Sequence, residues 1–181
     1  MSDLSSIELL FENKTSTISR DLKLNLKRFM SESALTPEEG VLATLACATS
    51  VEYTSLQAWA KEMLSTLGFS HEQIHEASES AAIMGMLNMY YRFRHMVSHG
   101  EHGNKTDYLQ AGLRMTALSK PALGKEKFEM LAFAVSVLNG CENCISSHEK
   151  ALKEAGVGAD KIHDLARIAS TVKGLKALST A

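Results

Sequence analysis

Leu67-Gly68-Phe69-Ser70-His71-Glu72-Gln73-Ile74-His75-Glu76-Ala77 carries the signal from which the fold can be read. Ser70 is a cap residue with an acid in the turn that follows, which is how a helix begins. The stretch also recurs. Ala155-Gly156-Val157-Gly158-Ala159-Asp160-Lys161-Ile162-His163-Asp164-Leu165 repeats its glycine and its Ile-His-acid run, and Gly68 and Gly156 are 88 residues apart. Upstream, Glu39 with an apolar helix matches Glu129 with another at an offset of 90, a difference an ordinary loop indel would produce. That offset sets Cys141, Cys144 and His148 against Val51, Thr54 and Ala58, so one half keeps reactive residues and the other only scaffold.

Working outward, the same helix grammar returns at Thr36-Pro37-Glu38-Glu39, with a cap, proline at the first helical position and acids in the first turn. Ser119-Lys120-Pro121 reads as a further start. Alanine, leucine, methionine, glutamate and lysine dominate, and no sustained strand-type alternation occurs. The expectation is an all-α chain of roughly seven to ten helices, at typical lengths of about 11 residues. It forms a single domain over 1–181, with a degenerate repeat at about 20–100 and a redox-active repeat at about 110–181.

Composition excludes several function classes. The net charge is −2, both signs are interspersed, and there is no basic stripe, so nucleic acid is not an expected partner. No apolar run approaches the roughly 18 residues that span a bilayer. Met1 to Arg20 holds acids and polar residues where a signal peptide would have a basic region and an apolar core, so the expected location is cytoplasmic. Structural disulfides are rare there, and a close cysteine pair points to catalysis or metal binding. Cys47, isolated in Leu-Ala-Cys-Ala, reads as a buried small hydrophobe.

The pair in question lies in Cys141-Glu142-Asn143-Cys144-Ile145-Ser146-Ser147-His148. Two thiols two residues apart can close a disulfide, and such pairs commonly have depressed pKa values. Leu138-Asn139-Gly140 supplies turn residues ahead of a helix start. Cys141 then falls at a helix N-terminus, where free N–H groups favour a thiolate, and Cys144 and His148 share its face. A structural zinc site could be drawn from Cys141, Cys144 and His148 with Glu129, but no second Cys-x-x-Cys exists and ligands confined largely to one helix face close poorly around a metal. Inert buried thiols fit poorly with Glu142, Asn143, Ser146, Ser147 and His148, which predict a polar, partly wet segment.

Glu129-x11-Cys141-x2-Cys144-x3-His148, set in Phe133-Ala-Val-Ser-Val-Leu-Asn-Gly-Cys141, resembles the AhpD-like alkylhydroperoxidases of the carboxymuconolactone decarboxylase superfamily. Asn88-Met89-Tyr90-Tyr91-Arg92-Phe93-Arg94-His95 is similar to the same subgroup, and the resemblance runs from about residue 20 to the C-terminus. It implies a duplicated helical unit assembled as a homotrimer, reducing organic hydroperoxides without a bound cofactor. Electrons would come from dihydrolipoamide on a carrier domain, and related systems serve the peroxiredoxin AhpC. On this resemblance Cys144 is the peroxidatic nucleophile and Cys141 the resolving partner. His148 acts as base or thiolate stabiliser, and Glu129 as proton relay or orienting group. The best-known members have histidine immediately before the second cysteine, where this chain has Asn143. Asparagine hydrogen-bonds but does not titrate near neutrality. A redox adaptor for AhpC with little peroxidase activity of its own is therefore the alternative, and decarboxylation on the same scaffold would need no cysteine pair.

Other residues invite weaker readings. His95, His99 and His102, with Glu101, could be drawn as a metal site, but Gly100 and Gly103 should break the helix there. Tyr90, Tyr91, Arg92 and Arg94 could contact anions, stack at an interface or lie on a solvated face. Met84, Met86, Met89 and Met96 read as core or interface filling, and Trp59 and Phe133 as core.

Overall fold

A computed structural model describes residues 4–100, 104 and 106–180. After a 3-10 segment at Leu4–Phe11, seven α-helices follow: α1 (Thr17–Ser31), α2 (Pro37–Ser50), α3 (Thr54–Thr66), α4 (His71–His99), α5 (Lys125–Asn139), α6 (Glu142–Glu154) and α7 (Ala159–Ser179), with a short 3-10 turn at Thr116–Leu118. No strand occurs among the described residues, so the all-α expectation holds.

α2 and α5 form the centre. Each is buried nearly all round, over Glu39–Ala48 in α2 and Met130–Ser136 in α5. A helix apolar on every side must be surrounded. The two pack on each other and between α4 and α7, while α3 leans on α2 and α6 on α5. Small side chains let these axes approach. A Cβ at Gly40 would lie 3.0 Å from the Phe29 carbonyl, where α1 crosses α2.

Capping boxes fix the starts of α2 and α4. Thr36 and Glu39 exchange side-chain and backbone bonds, as do Ser70 and Gln73, each cap contributing about 1 kcal/mol. Ser119-Lys120-Pro121 is not a helix start. Pro121 lies in a turn and α5 begins four residues later at Lys125, because Glu76 of α4 accepts the Ala122 and Leu123 N–H groups at 2.8 and 2.7 Å.

The register of the two halves also differs from the sequence expectation. Helix starts pair as Thr36 with Gly124, Tyr53 with Cys141 and Ser70 with Gly158, all 88 apart, so no indel separates them. Gly68 and Gly156 both have φ 86°. The following residues, Phe69 and Val157, donate to Leu64 and Leu152 through the same helix-ending bond. Cys141, Cys144 and His148 therefore stand opposite Tyr53, Leu56 and Ala60 rather than Val51, Thr54 and Ala58. The Glu39–Glu129 match misled because both acids begin apolar runs, yet Glu129 occupies the place of Val41.

Candidate active site

The corner between α5 and α6 makes the site. α5 ends at Asn139, and Gly140 turns the chain in the left-handed region at φ 64°. Cys141 follows as the N-cap of α6, its N–H donating to Ser136 O at 3.2 Å, and Cys144 lies one turn on. The two sulfurs are joined in a disulfide, with Cα atoms 5.3 Å apart. No side chain caps α6. Its first N–H groups, and the positive end of its dipole, are thus left beside the sulfurs.

Burial differs between the sulfurs' residues and their neighbours. Cys141 is fully buried and Cys144 is 5% exposed, although Glu142, Asn143, Ser146 and Ser147 face solvent as their polarity predicts. The expected wet segment is correct for those side chains and wrong for the cysteines, because the helix turns the sulfur-bearing face inward.

Glu129, on α5, reaches His148 on α6, with Oε2 and Nδ1 2.7 Å apart and both side chains half-buried. A carboxylate on Nδ1 fixes the ring and the tautomer, leaving Nε2 as the available lone pair. Cys144, Asn143, Ser147 and His148 line one side of a cavity of about 400 Å³. Met84, Leu87, Tyr91 and Arg94 of α4 form the facing wall, closed by Met115 and Leu118. Cys141 is not on its surface.

A second set of polar contacts holds the Cys141 turn from behind. Asn88, 1% exposed on α4, donates to the buried Ser136 hydroxyl at 2.9 Å and accepts from Asn139 Nδ2 at 3.0 Å. Arg92 donates to the Asn139 carbonyl at 2.8 Å. Asn88 and Ser136 are buried, and no buried side-chain N or O atom among the described residues lacks a partner, which favours one fixed geometry for the turn. Sequence reading missed Asn88 and Ser136 as site residues. Their signal was a polar side chain inside an apolar helix run, as in Phe133-Ala-Val-Ser136-Val. Met115 and Leu118 had no signal, since they lie at a short 3-10 turn outside the α-helices, where no helical periodicity marks a buried face.

The remaining candidates are dispersed. Arg94 donates to Leu109 O at 3.1 Å, and its guanidinium carbon lies 5.5 Å from the Tyr91 ring centroid. Tyr90 donates weakly to the Tyr108 and Gln110 carbonyls. His95 and His99 stack at 4.3 Å between centroids, and α4 ends at His99 before Gly100, as expected. Glu101, His102 and Gly103 lie outside the described residues. Met84 is core, whereas Met86, Met89 and Met96 are exposed on α4 beside Phe93. Trp59 and Phe133 are buried. Cys47 is buried and free, and desolvation pushes its thiol up to about 12. No helix among the described residues is long and apolar enough to cross a membrane.

Residues 107–181 match the carboxymuconolactone decarboxylase family. Several curated relatives are named alkyl hydroperoxide reductase AhpD. That of Rhizorhabdus wittichii is 37% identical over 85% of this chain and 86% of its own length. The corresponding figures are 40%, 84% and 80% for one from Anaeromyxobacter dehalogenans, and 39%, 90% and 89% for one from Mycolicibacterium smegmatis.

Proposed function

The chain belongs to the AhpD family of alkyl hydroperoxide reductases, and from that premise we propose that it reduces organic hydroperoxides through a Cys141–Cys144 dithiol–disulfide cycle. One observation carries the reading. Of two bonded cysteines at the uncapped end of α6, only Cys144 borders the apolar cavity, beside a histidine already oriented by a carboxylate.

In the reduced state His148 takes the Cys144 proton, with Glu129 holding the imidazole and stabilising the charge it acquires. The thiolate attacks the distal peroxide oxygen. The O–O bond breaks, a sulfenic acid forms on Cys144, and the alkoxide leaves as alcohol after accepting a proton. The Cys141 thiol then displaces hydroxide from that sulfenic sulfur, forming the disulfide and, with its proton, water. A dithiol donor attacks the disulfide, passes through a mixed disulfide and leaves both cysteines reduced while it is itself oxidised. The donor we assign is dihydrolipoamide on a carrier domain, with no resident cofactor. The thiol-dependent peroxidase AhpC is the associated partner, the cytoplasm the location and a homotrimer the assembly. The exposed Met86, Met89, Phe93 and Met96 on α4 supply an apolar face suited to association.

Asn143 favours a second reading. It lines the cavity next to Cys144 without being able to relay a proton, which suits an adaptor that passes electrons to AhpC and reduces peroxide poorly. Stopped-flow mixing of the pre-reduced protein with an alkyl hydroperoxide separates the two. Disulfide formation well above the rate of free dithiol supports the peroxidase, and a rate no faster than free dithiol leaves the adaptor. Dimedone trapping in Cys141→Ser should mark Cys144 by intact mass. Label on Cys141 in the converse variant would reverse the two roles.

A further inference from the structure

The cavity beside Cys144 is apolar over much of its wall, yet one permanent cation enters it. Met84, Leu87, Tyr91 and Arg94 are spaced as one stripe of α4, and all four face the cavity. Met84 and Leu87 are buried core residues, Tyr91 is amphipathic and Arg94 is charged. The stripe spans roughly 15 Å at 1.5 Å per residue, and its character changes from hydrocarbon to cation along that length.

Arg94 is held in place rather than free to sweep. Its guanidinium is stacked near the Tyr91 ring at 5.5 Å, and Nη1 donates to Leu109 O at 3.1 Å. One N–H of five is thereby used. Among the described residues no carboxylate lies within ion-pair distance of it. The imidazole on the wall, His148, already has Glu129 as its partner, so that pair offers an incoming anion little net attraction. Arg92, two residues away, bonds Asn139 O and lines a different cavity, so the two arginines are not equivalent. A half-buried guanidinium beside apolar walls, with donors to spare, is the complement of a carboxylate attached to a hydrocarbon chain.

We propose that Arg94 is a specificity-determining residue that binds the carboxylate of an apolar hydroperoxy acid. Such acids, rather than neutral alkyl hydroperoxides, are then the favoured substrate class. The proposal rests on the peroxidase reading above for its substrate, and on the cavity alone for its carboxylate.

Two measurements test it. In single-turnover stopped flow with pre-reduced protein, Arg94→Gln should lower the rate with a fatty-acid hydroperoxide relative to that with tert-butyl hydroperoxide by about 10- to 100-fold, the worth of a charge-assisted bond. Arg94→Lys should recover part of the loss. Equal slowing with both peroxides would mean that Arg94 acts on the peroxide group or the fold, and would overturn the proposal, as would no slowing with either. Calorimetry on the oxidised protein removes dependence on turnover. Octanoate should bind the unaltered chain at least about tenfold more tightly than Arg94→Gln, with octanol indifferent to the change. If no peroxide reacts but octanoate discriminates, the peroxidase reading fails and the carboxylate site stands. If octanoate does not discriminate, the site itself is refuted.

Discussion

The corner between α2 and α3 and the corner between α5 and α6 share a backbone and differ in almost everything else. Tyr53 and Cys141 each cap a helix and donate five residues back, to Ala48 and Ser136. Glu52 and Gly140 occupy the same left-handed turn, at φ 57° and 64°. A cation from the far helix bonds a turn carbonyl in both, Lys176 to Glu52 and Arg92 to Asn139. In the first corner Val41, Leu56 and Ala60 fill with buried hydrocarbon the positions that hold Glu129, Cys144 and His148 in the second. Their surroundings diverge as well. α4 has 29 residues against 21 in α7, and α4 extends over α6 to roof the cavity. No such contact joins α7 to α3, which instead packs against the 3-10 segment Leu4–Phe11. The same corner thus serves as core where its side chains are apolar, and as the proposed reactive site where they are not and a longer helix overhangs it.

Rewriting the second corner as the first should have the largest effect. Combining Glu129→Val, Cys144→Leu and His148→Ala should reduce peroxide turnover to that of free dithiol while circular dichroism and cooperative melting persist. Residual turnover above that level would show that the chemistry lies elsewhere. Glu129→Gln alone keeps the shape and removes the carboxylate charge facing His148, so kcat/KM should fall about 10²-fold, within the range for a disturbed acid–base group. Conversely, Leu56→Ala opens a hole in the first corner and should cost about 2–5 kcal/mol in urea unfolding. Turnover per folded molecule should be nearly unchanged, because that corner carries packing only.

Asn88→Ala removes the link between Ser136 and Asn139. It should cost about 1–3 kcal/mol and slow closure of the disulfide, seen as longer-lived dimedone-reactive sulfenic acid. The smallest effect concerns Cys47. Its raised thiol should stay unlabelled by maleimide in the folded, reduced protein while Cys144 reacts. An unfolded thiol ionises near the ordinary 9.0 and the folded one near 12, so between them the unfolded state holds fewer protons. Stability from this group is therefore complete below about pH 9 and declines as pH rises toward 12. Cys47→Ala should flatten that decline in pH-dependent unfolding.

Much of the site could be read locally because its spacing is local. Cys141, Cys144 and His148 lie within eight residues on one helix, and Gly140 marks the turn before them. Two helix starts followed from Thr36 and Ser70, whose bonds are made within three residues. Pro121 misled for the opposite reason. Its neighbours' N–H groups are met by Glu76, a partner 46 and 47 residues away from them. The match of Glu39 to Glu129 failed because acid-then-apolar runs recur in any helical chain, whereas the caps that define register are geometric.

By itself, then, the sequence determined the helical class, the 88-residue echo between Gly68 and Gly156, and the sulfur pair with its histidine, since each depends on residues a few positions apart. Tertiary structure alone decided which sulfur opens on the cavity, that Glu129 meets His148 at 2.7 Å, and that Arg94 rather than Arg92 faces Cys144 across it. Those facts depend on how α4, α5 and α6 cross, and crossing is set by the packing of whole helix faces, which local spacing does not encode.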